Sequence, residues 1–119
     1  MNLPENALLL RIFLGESDSH EGHPLYEAIV LAAREKGLAG ATVLRGAMGF
    51  GRSSRLHSSK ILRLSEDLPL VIEIVDTEER IEDFLPTIQS MVGSTLMTLE
   101  KARVIRYGDS DTDKGAIET

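Results

Sequence analysis

Pro69-Leu70-Val71-Ile72-Glu73-Ile74-Val75 is the stretch on which the fold turns. β-Branched residues dominate it, its length suits one strand, and Glu66-Asp67 ahead of it reads as a turn. Downstream, Asp76 opens a helix, with Glu79 three residues later in capping-box spacing. Ile81, Phe84, Leu85, Ile88, Met91 and Val92 recur at helical spacing and mark the buried face. Pro86 interrupts that face; it removes one backbone hydrogen bond and predicts a kink costing ~3 kcal/mol if nothing compensates. Gly93 stops the helix, and Leu96–Tyr107, with Val104 and Ile105 inside it, forms the last strand.

Upstream of the decisive stretch the same grammar repeats. Ala7–Leu14 is apolar apart from Arg11 and has the length of a strand, bounded by the polar, turn-like Gly15–His23. Pro24 suits the first position of a helix, where its missing N–H costs nothing. Leu25, Ile29, Ala32 and Ala33 share one face, so the spacing predicts a helix over Pro24–Lys36. Gly37 is its stop, and Leu38 supplies the apolar contact of a Schellman motif. Ala41–Met48 reads as a strand through Thr42, Val43 and Leu44. A long loop, Met48–Lys60, follows, rich in glycine and serine and stiffened near Lys60–Leu64 by a short strand.

The order β-α-β-(long loop)-β-α-β predicts an α+β, ferredoxin-like βαββαβ sandwich, with four antiparallel strands and two helices on one face. Residues 1–119 make a single domain, with an ordered core over 7–108 and a flexible acidic tail over 109–119. Leu9, Val43 and Ile72 alternate with their neighbours so as to make both sheet faces apolar. The uncovered face then needs a partner, and three copies closing around a three-fold axis would supply one.

Composition narrows the function. The chain has no cysteine, which removes disulfides, thiolate catalysis and cysteine-ligated metals and fits a reducing compartment. No run approaches the length of a bilayer span, and no basic segment leads into an apolar one as in a signal peptide, so a cytoplasmic protein without membrane insertion is expected. A net charge of −6 and a pI near 5.0 argue against nucleic-acid binding. Five basic residues (Arg45, Arg52, Arg55, Lys60 and Arg63) nevertheless lie between Arg45 and Arg63 without a single acid. A basic segment on an acidic chain favours one specific anionic ligand or partner.

Two segments could carry chemistry. In Arg45-Gly46-Ala47-Met48-Gly49-Phe50-Gly51-Arg52, glycines would let backbone N–H groups approach an anion that the arginines neutralise. The bland alternative is glycines supplying positive φ at a bulge or hairpin. The segment is neither a Walker loop nor a dinucleotide fingerprint. In Asp18-Ser19-His20-Glu21-Gly22-His23, two imidazoles and two carboxylates within six residues could ligate a metal, with His20 and His23 as the principal donors. The alternative is a polar loop leading into the helix. His57 lies among serines but without a nucleophile elbow. No acid, base and nucleophile come together, so an enzyme is the least supported reading.

Pro24-Leu25-Tyr26-Glu27-Ala28, Gly37-Leu38-Ala39-Gly40-Ala41-Thr42-Val43-Leu44-Arg45-Gly46, Gly49-Phe50-Gly51 and Asp67–Asp76 occur in an order and spacing that resemble the PII-like family called domain of unknown function 190. The resemblance spans Leu8 to Tyr107. It implies a PII-like homotrimer that binds a small anionic ligand, such as an adenine nucleotide, in clefts between subunits. It further implies contact with a target protein, a membrane transporter or an enzyme, through the 48–60 loop. The implied ligand-binding residues are Arg45, Gly46, Gly49, Phe50, Gly51, Arg52 and Arg55. PII proteins hold phosphates with a glycine- and lysine-rich stretch between the second helix and the last strand. Here Met91-Val92-Gly93-Ser94-Thr95 stands in that place, so a smaller adenylate or another anion is implied. The alternative is a metal-binding trimer similar in fold to the CutA divalent-ion tolerance family, using the 18–23 loop.

Overall fold

The computed structural model describes residues 6–50, 56–58, 68–93 and 95–108, with the backbone alone at 56–58. In chain order the elements are β1 (Asn6–Gly15), β2 (Ser19–His20), β3 (His23–Pro24), α1 (Leu25–Glu35), β4 (Thr42–Arg45), β5 (Met48–Phe50), β6 (Leu56–Ser58), β7 (Pro69–Asp76), α2 (Glu78–Gln89) and β8 (Leu96–Arg103). Four of these strands form an antiparallel sheet in the order β4-β7-β1-β8. The predicted ferredoxin-like sandwich is therefore the fold. Two small hairpins, β2-β3 and β5-β6, stand outside the sheet. The tail over 109–119 and the strand expected near Lys60–Leu64 lie outside the described residues.

Alternation along β1 and β7 sorts the side chains into two faces. Leu10 pairs with Ile74, Ile12 with Ile72 and Leu14 with Leu70. All six are buried and join Leu25, Ile29 and Ala33 of α1 and Ile81, Phe84 and Ile88 of α2 in one core. Val43 pairs with Ile72 and so lies on this helix-covered face. That corrects the sequence expectation that Val43 and Ile72 would help to make the far face apolar. Of the three residues invoked, Leu9 alone is on the far side.

The far face is mixed. Leu44, Val71, Phe13 and Leu96 are cross-strand neighbours in one row spanning all four strands of the sheet. Leu44 and Leu96, at its ends, are 48% and 62% exposed. The adjacent row carries Glu73 beside Arg11. Arg11 Nε donates to Glu73 Oε2 at 2.9 Å and its Nη1 to Glu100 Oε1 at 2.7 Å. The Glu73 hydrogen bond is the largest influence holding the guanidinium above its ordinary pKa, against an opposing desolvation. Arg11 is thereby paired across both neighbouring strands and contributes no free charge.

α1 ends as its sequence predicts. Gly37 has φ +75°. Its N–H donates to Arg34 O, and that of Leu38 to Ala33 O, the paired bonds of a Schellman motif. Its start differs: Pro24 is the N-cap and the helix begins at Leu25, because Pro24 first completes the short β3 ladder opposite Ser19.

α2 also starts one residue later than expected. Thr77 is the N-cap, and its Oγ1 accepts from Arg80 N at 3.1 Å. Asp76 is unavailable as a cap because it is the last residue of β7 and fully buried. Its Oδ1 accepts from Thr77 N at 2.7 Å and its Oδ2 from Ala39 N at 2.9 Å. Arg80 Nε stands 3.9 Å from Oδ2, while Arg80 Nη2 donates to Gly37 O. Tyr107 Oη adds a bond to Ala39 O. The α1–β4 turn is thus fastened to the end of β7 by one carboxylate. α2 runs through Pro86 and is capped at Ser90, and β8 stops at Arg103, before the expected Val104 and Ile105.

Asp76 is fully buried, so removing its carboxylate leaves two backbone donors without their acceptor, and each such loss costs ~1–3 kcal/mol. Asp76→Ala should lower the unfolding free energy by roughly 2–4 kcal/mol, whereas the exposed Glu78→Ala should stay within about 0.5 kcal/mol. Urea unfolding of the two variants checks this; equal stabilities would remove Asp76 from its structural role.

Candidate ligand-binding site

The basic glycine-bearing segment begins at the end of edge strand β4. Arg45 pairs with Leu70 of β7, and its Nη2 forms an ion pair with Glu16 Oε2 at 2.5 Å. Glu16 sits just past β1, where its N–H donates to Leu68 O at 2.8 Å. The neighbouring turn is held by Asp18, whose Oδ2 accepts from Gly15 N and whose carbonyl accepts from Leu25 N. The Arg45 side chain stays more than half exposed, so it can meet a ligand, but only in competition with a resident carboxylate.

Gly46 and Gly49 lie against the start of β7. Neither has positive φ. The Gly46 N–H donates to Pro69 O at 2.7 Å and is therefore already satisfied. A Cβ on Gly46 would lie 3.0 Å from Pro69 Cγ, and one on Gly49 3.4 Å from the same atom. The two glycines let the chain pass over the Pro69 ring. Gly49 faces Pro69, so its neighbours Met48 and Phe50 in β5 point the other way, 60% and 70% exposed. β5 pairs with β6 through Met48–Ser58, Gly49–His57 and Phe50–Leu56, giving the base of the expected loop a hairpin of its own.

Of the predicted ligand-binding residues, Arg45, Gly46, Gly49 and Phe50 cluster around the start of β7. Gly51, Arg52 and Arg55 lie outside the described residues. In Met91-Val92-Gly93-Ser94-Thr95, the N–H groups of Met91 and Val92 donate to Ile88 O, so they close α2 and are not offered to a phosphate. His20 and His23 face each other across β2-β3. Among the described residues no three His, Asp or Glu side chains gather to hold a metal ion, and no helix is long and apolar enough to cross a membrane. Sequence reasoning missed Glu16 and Pro69. Neither is near Arg45 or Gly46 in the chain, and only the β4–β7 pairing and the β1 turn bring them there.

The sequence profile of the family domain of unknown function 190 (DUF190), described as Uncharacterized ACR, matches residues 7–104. The chain belongs to DUF190. This DUF190 protein is 43% identical to a UPF0166 protein of Aquifex aeolicus over 97 residues, 82% of this chain and 91% of that one. It is 38% identical to a UPF0166 protein of Methanocaldococcus jannaschii over 86 residues, 72% of this chain and 79% of that one. Among solved structures it is similar to CPII, a nitrogen regulatory PII-like protein from Thiomonas intermedia K12, bound to ADP, AMP and bicarbonate. That match has a TM-score of 0.60 and 18% identity and covers 85% of this chain and 90% of CPII. CPII bound to ADP and bicarbonate superposes with a TM-score of 0.56 at 20% identity. The DUF190 chain therefore has the PII-like fold.

If Gly46 is there for its closeness to Pro69, a larger side chain must displace a rigid ring. Gly46→Val should cost about 1–3 kcal/mol in stability. Gly40→Ala, with open space around it and no positive φ, should be neutral or gain up to about 1 kcal/mol. Thermal and urea unfolding distinguish the two, and a fully stable Gly46→Val would refute the packing role.

Proposed function

We propose that this DUF190 protein is a cytoplasmic, PII-like regulatory homotrimer that binds a small anionic adenine nucleotide in clefts between subunits and contacts a target protein through the 48–60 loop. The observation that carries the reading is the fold shared with CPII, whose structure is bound to ADP, AMP and bicarbonate, together with a basic, glycine-bearing segment at the start of β7. Arg45, Gly46, Gly49, Phe50, Gly51, Arg52 and Arg55 form the proposed site. Arg45 supplies a charge-assisted bond to phosphate or carbonate, and the exposed ring of Phe50 offers a stacking face for a base. The backbone N–H of Gly46 is committed to Pro69, so in this site Gly46 shapes the approach of the chain and does not donate to the ligand.

Glu16 sets the threshold. An incoming anion must take Arg45 from it, so ligand binding exchanges one ion pair for another. Such an exchange links occupancy to the position of the segment that follows Arg45, and through it to affinity for a target. A ligand shifts that equilibrium only by its differential affinity for the two arrangements.

The row of Leu44, Val71, Phe13 and Leu96 supports the trimer. It is apolar across four strands and leaves its ends in water, and burial against other copies gains ~25 cal/mol per Å². The neighbouring Arg11–Glu73–Glu100 cluster is internally neutralised apart from one negative charge, so it does not demand a partner's charge to be covered.

Calorimetric titration with AMP and ADP should show binding that Arg45→Ala weakens and Glu16→Gln strengthens, each by about tenfold, equivalent to about 1.4 kcal/mol. No heat with either nucleotide at millimolar concentration would end the nucleotide reading. In native mass spectrometry the wild type should appear as a trimer and Val71→Asp as a monomer with unchanged circular dichroism. A monomeric wild type at micromolar concentration would overturn the assembly.

A further inference from the structure

The β5-β6 hairpin stands outside the four-stranded sheet and carries an apolar pair into solvent. Gly49 lies against the Pro69 ring, so Met48 and Phe50 on either side of it point away and are both exposed. Positions two apart on a strand are separated by ~7 Å, so the thioether and the ring make one apolar strip. Apolar side chains scattered singly over a surface need no explanation; two held side by side on a paired strand do. The strip is fixed at both ends of β5. The Gly46 N–H to Pro69 O bond sets where the chain leaves the sheet, and the pairing of Gly49 with His57 sets the strand.

Charge decides what can cover it. Arg45, at the end of β4, has a side chain more than half exposed, and the stretch Arg45–Arg63 holds five cations and no acid. The chain as a whole carries a net charge of −6. At physiological salt, screening confines charge effects between exposed groups to ~8 Å. An occupant that touches only this strip therefore meets the local cations and not the distant acids. An anionic bilayer or a nucleic-acid duplex is too extended for that and meets the acidic remainder of the chain as well. A second copy docked hairpin to hairpin would set like cations against each other. A short acidic segment of another protein escapes both penalties.

We propose that Met48, Phe50 and Arg45 form a docking strip for an extended, acidic segment of a partner protein. Apolar side chains at alternate positions of that segment meet Met48 and Phe50, and a carboxylate meets Arg45. An extended chain presents alternate side chains to one side at the spacing of the strip. The Phe50 ring is the principal anchor, and Met48, unbranched and adaptable, fits side chains of different shape. This docking rests on the reading that the 48–60 loop contacts a target protein, and it adds the chemistry of that target. It also makes nucleotide and target rivals, because a base and an apolar anchor claim the same ring and both ligands draw on Arg45.

Fluorescence anisotropy of the full chain with short labelled peptides tests it. The peptides carry leucine or phenylalanine at their second and fourth positions and glutamate elsewhere. They should bind, with affinity lowered about tenfold or more by Phe50→Ala and about threefold by Met48→Ala or Arg45→Gln. Leu31→Ala, exposed on α1, should bind as the wild type does. AMP should displace the peptide, and peptides with lysine in place of glutamate should not bind. No binding by any acidic peptide would overturn the docking strip, and AMP binding seen by calorimetry would then leave the nucleotide reading standing. Peptide binding without AMP binding would end the nucleotide reading alone. Phe50-dependent binding of the lysine peptides would keep a target at the loop but overturn its acidic chemistry, whereas binding indifferent to Phe50 and Met48 would remove the loop contact itself. A change of oligomeric state in Phe50→Ala by native mass spectrometry would make the strip an interface between copies and overturn the proposal.

Discussion

The antiparallel pairing of β1 with β7 is the constraint from which the rest of this molecule follows. Eight residues of each strand are matched, from Leu8 opposite Asp76 to Gly15 opposite Pro69. A slip by one residue would send Leu10, Ile12 and Leu14 to the far face and bring Arg11 beneath the helices. Burial of the helix-side row against Ile29, Ile81 and Phe84 forbids that slip, since an unpaired guanidinium in that core has no acceptor. With the register held, both ends of β7 are placed. At one end Asp76 fastens the α1–β4 turn, and at the other Pro69 becomes the surface over which Gly46 and Gly49 pass.

The candidate site is therefore an outgrowth of the sheet and not a loop added to it. Edge strand β4 delivers Arg45 beside Glu16, and the Gly46–Pro69 hydrogen bond turns the chain into the β5-β6 hairpin. Two kinds of surface emerge side by side: a charged point at Arg45, moderated by Glu16, and an apolar pair at Met48 and Phe50. This combination suits a ligand with an anionic end and a flat apolar body. Gly46 and Gly49 contribute by being small; their conformational freedom is not used.

The far face shows how a small domain can keep a charged row within a sheet that is otherwise apolar. Arg11 reaches across to Glu73 on one side and to Glu100 on the other, so its charge is answered within the subunit. The row of Leu44, Val71, Phe13 and Leu96 has no such internal answer. That contrast leaves the apolar row, and not the ion cluster, as the part of this face that gains from being covered.

Much of the fold was legible from residue pattern. The β-branched run at Pro69–Val75, the Leu25-Ile29-Ala33 spacing, and Gly37 as a helix stop are local signals, each produced by contacts within a few residues, and the element order followed from them. Local signals also misled. Asp76-x-x-Glu79 has capping-box spacing, yet Asp76 is the buried end of a strand, because Ala39 claims its carboxylate from 37 residues away. Val43 and Ile72 looked free to cover either face until strand pairing placed both in the core. Sequence by itself determined the elements, their order and the basic character of the Arg45–Arg63 segment, since periodicity, turn chemistry and charge are properties of neighbours. Only the tertiary structure decided that Glu16 meets Arg45, that Gly46 lies on Pro69 and that His20 stands opposite His23. Those pairings arise from strand register and chain reversal, which bring together groups that no local pattern relates.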